Sequence, residues 1–334
     1  VFISRRMIRS LAKYNLFRNP ALYGGRKTNF NIDFNRNAKK YFAVSLVAVA
    51  LIAVAVPLRG VLLDIQFTGG TMVTYAYDGQ IDMNSVASAA SGQINTDVTV
   101  RHATDIASNT ETLVLSMPGT QSYSVDEMAQ FTDALQAAFP QNNLRSVQIN
   151  NIDPTIGGEF LRKCLAAVAA ALAIMLVYVA LRFKKIGGLS AGFMSIVALV
   201  HNCIVAFGVF VAFGFALNDN FMAVILTIVA YSLNDTIVLY DRIRENKRLL
   251  SYKTPVDELV NRSINQSIHR SINTSSTTAL AMLVVTVMAL IFNVQSIVTF
   301  AFPLTVGLLV GMYSSICLAG PLWVKWQQRK SKKA

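Results

Sequence analysis

The chain reads as an α-helical polytopic membrane protein of six transmembrane helices, with a small α+β, ferredoxin-like extracytoplasmic domain. Three observations predict this. Of its 334 residues, 53% are apolar and only 14% are charged, against about 25% charged in ordinary soluble domains. The apolar residues gather in six runs near or above the roughly 20 residues that cross a hydrocarbon core about 30 Å thick. The net charge of +12 is also unevenly laid out. Residues 60–160 hold eleven acidic residues against Arg101 and Arg145, a net −9, so the remainder carries +21. This composition excludes a single water-soluble globule and a disordered chain, which has few apolar residues.

The six runs are Tyr41–Leu58, Cys164–Leu181, Leu189–Leu217, Phe221–Tyr240, Thr274–Phe292 and Ile297–Val324. Lys and Arg set their orientation. Ten lie in residues 1–40, and others follow the second run (Arg182, Lys184, Lys185), the fourth (Arg242, Arg244, Lys247, Arg248, Lys253) and the sixth. With six crossings all four groups fall on one side, so both termini are expected in the cytoplasm. Arg59, Arg162 and Lys163 lie on the other side and are outnumbered. The expected domains are a basic arm (1–40), helix one (41–60), an outside domain with its connections (61–158), helices two to six (159–325) and a basic tail (326–334).

Ala53-Val54-Ala55 resembles a signal-peptide cleavage site. Forty residues precede its run, which is itself long enough to span, so we read it as a retained helix. The aromatic and basic arm suits anionic lipid or a cytoplasmic partner rather than nucleic acid. Cys164, Cys203 and Cys317 lie in apolar runs and read as packing residues without disulfide or metal spacing.

Within the outside segment, Thr71–Tyr77 alternates as a strand. Asp82–Ile94 reads as a helix capped by Asp82. Asp97–Ala103 and Glu111–Met117 are strands. Ser124–Phe139 is a helix with a Ser124/Glu127 capping box, stopped at Pro140. Leu144–Ile149 is the last strand. The order β-α-β-β-α-β is the split-βαβ pattern, and Asp64–Gly70 and Ile152–Gly158 are expected to connect it to the membrane.

Ionisable residues inside a span are costly, and they mark function by default. Asp235 lies 14 residues past Phe221, about 21 Å along a helix, and shares a face with Tyr231. Such a carboxyl can carry a proton, or it can cap or pair near the interface. At the start of the fifth span, a four-residue repeat gives the stripe Gln266, Arg270, Thr274 and Thr278. Arg270 is there a candidate partner for Asp235, or a snorkelling interfacial residue. His201-Asn202 is a buried hydrogen-bonded pair or a proton relay. Gly188/Gly192 and Gly307/Gly311 permit close helix contact. No Walker loop, HExxH helix or GxSxG turn occurs, so we expect no enzyme activity.

Tyr231-Ser232-Leu233-Asn234-Asp235-Thr236-Ile237-Val238, followed by Asp241-Arg242-Ile243-Arg244-Glu245-Asn246, resembles the fourth-helix signature of the SecF branch of the SecD/SecF protein-export family. That family is related to the resistance-nodulation-division transporters. Phe67-Thr68-Gly69-Gly70-Thr71 resembles the motif after helix one, Gly157-Gly158-Glu159-Phe160 the entry to helix two, and His269-Arg270 with Thr277-Thr278 the start of helix five. The resemblance implies a bacterial cytoplasmic-membrane subunit that works with SecD, the Sec translocon and YidC on a translocating polypeptide, among membrane lipid. It implies no bound cofactor, with protons as the coupling ion. Asp235 is then the protonating carboxylate, with Arg270 its charged partner and Asn234 and Tyr231 beside it. Two departures stand out. Gln66 replaces the family's usual Asp before Phe67, and Asn202 replaces a carboxylate that often follows His201, which weakens a two-carboxylate relay. A small-molecule exporter of the same superfamily and a non-transporting translocon scaffold are the alternatives.

Overall fold

The computed structural model describes residues 32–331, apart from 95, 97, 106–109, 120–122, 251–253 and 293. Most of the basic arm therefore lies outside the described residues. In chain order the membrane part consists of α1 (Ala38–Arg59), α5 (Pro154–Arg182), α6 (Gly188–Phe213), α7 (Asp219–Leu249), α8 (Val256–Ile291) and α9 (Gln295–Ser314). A π-helical turn, Ser315–Ala319, carries α9 into α10 (Gly320–Ser331). Among the described residues, six helices are long and apolar enough to cross a membrane, α9 and α10 counting as one.

Between α1 and α5 come α2 (Ile65–Thr68), β1 (Gly70–Ala76), α3 (Met83–Ile94), β2 (Thr99–Asp105), β3 (Thr110–Pro118), α4 (Val125–Ala138) and β4 (Arg145–Ile152). The sheet order is β2-β3-β1-β4, with every pair antiparallel. This is the ferredoxin-like arrangement that the strand and helix order predicts. The α4 cap is the expected box: Ser124 Oγ accepts from the Glu127 amide, and the Glu127 carboxylate accepts from the Ser124 amide. Asp82 accepts from the Ser85 amide at the start of α3. The domain core is Val73, Tyr75, Leu113, Leu115, Met117, Met128, Phe131 and Leu135.

Several boundaries differ from expectation. Ile152–Gly158 is not a loop. Pro154 opens α5 directly, because Asp153 accepts from the Thr155 amide and proline needs no donor at a first-turn position. The third run stops at Phe213, where Gly214 takes a left-handed conformation (φ 67°). The polar repeat before the fifth span is fully helical, so α8 begins at Val256. Its serines satisfy themselves locally. Ser263 Oγ donates to the Leu259 carbonyl at 2.7 Å, and Ser267 Oγ to the Ser263 carbonyl at 2.9 Å.

Two apolar clusters fill the bundle. One, near the sheet domain, includes Phe67, Ala206, Phe210, Ile225, Ile228, Ala279, Leu304 and Leu308. The other, toward the far end, includes Phe183, Met194, Leu239, Tyr240, Ile264, Ile268 and Trp323. Gly307 and Gly311 let α9 lie against Ile228 and Ser232 of α7; a side chain would collide with Ile228 at the first and fit only tightly at the second. That close approach is how small residues pack helices without a hydrophobic drive.

Candidate functional site

Between the two apolar clusters lies a layer of buried polar side chains: Asn202 on α6, Ser232, Asp235 and Thr236 on α7, Ser275 on α8, and Ser315 in the π-helical turn. Asp235 is 3% exposed, and its Oδ2 accepts from Ser275 Oγ at 2.9 Å. Beside it, Asn202 Nδ2 donates to Ser232 Oγ at 2.9 Å. Thr236 Oγ1 and Ser315 Oγ are 3.0 Å apart, and both reach the Ser232 carbonyl. The π-helical turn widens the backbone at Ser315, a local device frequent at functional sites.

His201 and Asn202 form the expected pair, with Nδ1 and Oδ1 3.3 Å apart. The His201 Nε2 atom is buried and has no hydrogen-bond partner among the described residues. Tyr231 reaches α8 one turn from Asp235. Its hydroxyl lies 2.8 Å from Thr278 Oγ1 and donates to the Thr274 carbonyl at 3.1 Å.

Two residues of the motif lie outside this layer. Arg270 is exposed and forms no ion pair with Asp235 among the described residues. The reason is helical geometry. Five positions separate Arg270 from Ser275, which at 3.6 residues per turn is about 140° of rotation, so the two lie on different stripes of α8. Ser263, Ser267, Ser271 and Ser275 form a fully buried stripe of α8; the neighbouring stripe also meets α7, where Gln266 Oε1 accepts from Arg242 Nε and Asn246 Nδ2 at 2.7 and 2.8 Å, but its Arg270 side chain is exposed. Asn234 is likewise exposed and turns away from the buried layer. Ser275, Ser232, Thr236 and Ser315 were not singled out from sequence. The four-residue serine period of α8 is the signal that could have found the first.

The motif after α1 forms a second polar centre, at the sheet-domain end of the bundle. Asp64 caps α2, its Oδ1 accepting from the Gln66 amide at 3.2 Å. The same carboxylate pairs with Arg101 of β2 at 3.7 Å. Gln66 Oε1 accepts from the Asp219 amide, the first of α7, at 3.0 Å. Phe67 stacks on Phe160 of α5, with ring centroids 5.7 Å apart. Thr68 Oγ1 donates to the Asp64 carbonyl. Gly69 (φ 80°) lies on Pro154 and Gly70 (φ 132°) on the Met117 carbonyl, places where a β-carbon has neither room nor a relaxed backbone.

A bundle of six helices long and apolar enough to cross a membrane, with a carboxyl buried among them and a ferredoxin-like domain at one end, defines a polytopic membrane protein. Residues 130–329 match the family described as protein export membrane protein SecD/SecF, C-terminal. The chain is 33% identical over 295 residues to the protein translocase subunit SecF of Cereibacter sphaeroides, covering 86% of this chain and 87% of that one. It is 31% identical to the SecF of Petrotoga mobilis, covering 90% and 98%. The crystal structure of SecDF, a translocon-associated membrane protein from Thermus thermophilus, superposes with a TM-score of 0.80 at 30% identity over 97% of this chain. The chain spans 42% of that SecDF chain. It belongs to the SecD/SecF family of protein export membrane proteins, and within it to the SecF translocase subunits.

Proposed function

We propose that this chain is the SecF-type half of a proton-driven machine. With a SecD-type partner it couples the proton gradient to movement of a polypeptide through the Sec translocon, and YidC is a further associate. The observation that carries the reading is Asp235, 3% exposed in the apolar stretch of α7 and held by a single hydroxyl. A buried carboxyl without a fixed counter-charge is easily switched between neutral and charged forms by the side it faces. A proton falling through 100 mV yields about 2.3 kcal/mol, enough to bias a conformational equilibrium of a few kcal/mol.

The name of the SecDF neighbour, and the 42% of it that this chain spans, support a SecD-type partner for the rest. The charge pattern supports a cytoplasmic-membrane setting with both termini in the cytoplasm and the sheet domain outside. Arg270, exposed beside the site, is free to approach Asp235 or a partner carboxylate as helices shift.

The test is secretion of a reporter in cells whose only copy carries Asp235→Asn. The gradient-dependent part of export is lost and the ATP-driven part remains. Normal gradient-dependent export in that variant overturns the reading.

A further inference from the structure

We infer that residues 64–66, with Arg101, are the mechanical link between the outside domain and the helix that carries Asp235, and that the Asp64–Arg101 ion pair is its load-transmitting contact. The inference deepens the proton-coupling reading and rests on it for its purpose.

The geometry starts from what Asp64 is attached to. Its amide donates to the Leu217 carbonyl at 3.0 Å, and the Leu217 amide returns to the Leu62 carbonyl at 2.8 Å. This two-way bridge locks the chain after α1 to the chain just before α7. Two residues further on, Gln66 caps the first amide of α7 at Asp219. The segment thus grips the start of α7 twice. Its side-chain carboxylate points the other way, to Arg101 on β2 of the outside domain.

The pairing is selective. The Asp64 side chain is 3% exposed, so its charge has little water to fall back on. Arg101 is one of only two basic residues in the acidic segment 60–160. Among the described residues it forms the one ion pair that joins the sheet to the segment between α1 and the sheet. Glycine packing at Gly69 and Gly70 joins the same segment to α5 and β3, so it has no slack in which to absorb a displacement. A tilt of β2 is therefore passed to Asp64, and from there to the start of α7. Asp235 lies 16 residues from Asp219, about 24 Å along an unbroken helix. The link also accounts for the departure at Gln66. A neutral amide oxygen accepts the α7 amide, while the carboxylate stands two residues earlier, where it can reach Arg101.

The test is amide hydrogen exchange on the full chain in lipid nanodiscs, with Asp235→Asn as the neutral form of the switch. In the native background Asp235→Asn changes exchange at both Thr99–His102 and Leu217–Asp219. In a background carrying Asp64→Asn with Arg101→Gln, which removes both charges and leaves neither orphaned, the response at Thr99–His102 is lost. Arg101→Lys keeps it. A response of equal size in both backgrounds, or none in the native one, overturns the link. Should the double variant fail to stay monodisperse, Arg101→Gln against Arg101→Lys carries the same comparison. Exchange reports the coupling and reporter secretion reports the proton reading. Coupling found together with normal export by Asp235→Asn would therefore sink the reading and leave the link standing.

Discussion

Ser275→Ala is the sharpest probe of the buried layer. Ser275 is fully buried, and its hydroxyl is the hydrogen-bond donor to Asp235 Oδ2, at 2.9 Å. The substitution deletes one oxygen and leaves a buried acceptor unmatched. A hydrogen bond to a charged group contributes about 1.5–3 kcal/mol, and one to a neutral group about 0.5–1.5. The loss therefore falls unequally on the two protonation states, by about 1–1.5 kcal/mol. At about 1.4 kcal/mol per factor of ten, this moves the protonation equilibrium roughly tenfold, and gradient-dependent export should fall. Ser275→Thr keeps the hydroxyl and should recover most of the rate. Ser271→Ala is the control. That serine is also buried, one turn away on the same stripe, so the change in helix packing is matched without touching Asp235. The assay is the rate of reporter export in membrane vesicles with and without an imposed gradient. Equal rates for Ser275→Ala and Ser271→Ala would show that the hydroxyl does nothing for the carboxyl.

Other consequences can be measured separately. Gly69→Ala forces a left-handed conformation that costs about 1–2 kcal/mol and drives a methyl group into the Pro154 backbone. The chain should lose its monodisperse peak in gel filtration, and a variant as well behaved as the native one would refute the tight junction. Phe131→Ala opens the sheet-domain core, where Phe131 is 5% exposed; a loss of about 3–5 kcal/mol should make that domain protease-sensitive while the helices stay protected. Hydrogen bonds from Ser124 hold the Glu127 carboxyl below its ordinary value of 4.5. A lowered value stabilises the fold above the ordinary pKa and is lost as pH falls through the lowered one. The native domain should thus resist proteolysis better than Glu127→Gln at neutral pH, and the difference should shrink as pH falls below the ordinary glutamate range.

Much of this architecture was legible because its physics is local. Six apolar runs need only a count of residues against bilayer thickness, and β-α-β-β-α-β needs only period and caps. The Ser124/Glu127 box is a contact between neighbours in sequence and formed as expected. Asp235 stood out because a carboxyl in an apolar run is anomalous in any fold. The failures share one cause. Sequence periodicity says which residues share a face of α8, but both the Ser263–Ser275 stripe and the Gln266–Thr278 stripe satisfy it. Chemistry pointed to the polar stripe and Arg270, while the small one supplies the hydroxyl that meets Asp235.

What the sequence by itself determined, then, is the membrane class, the spans, the ferredoxin-like domain and the position of the buried carboxyl along its helix. The tertiary structure alone decided what each charge meets. It set Ser275 against Asp235 because serine lets α8 approach α7 closely and still donate a hydrogen bond. It also brought Arg101 to Asp64 and Gln66 to Asp219, across 37 and 153 positions of chain. Such contacts depend on which surfaces the packed helices and sheet bring together, and no local pattern carries that information.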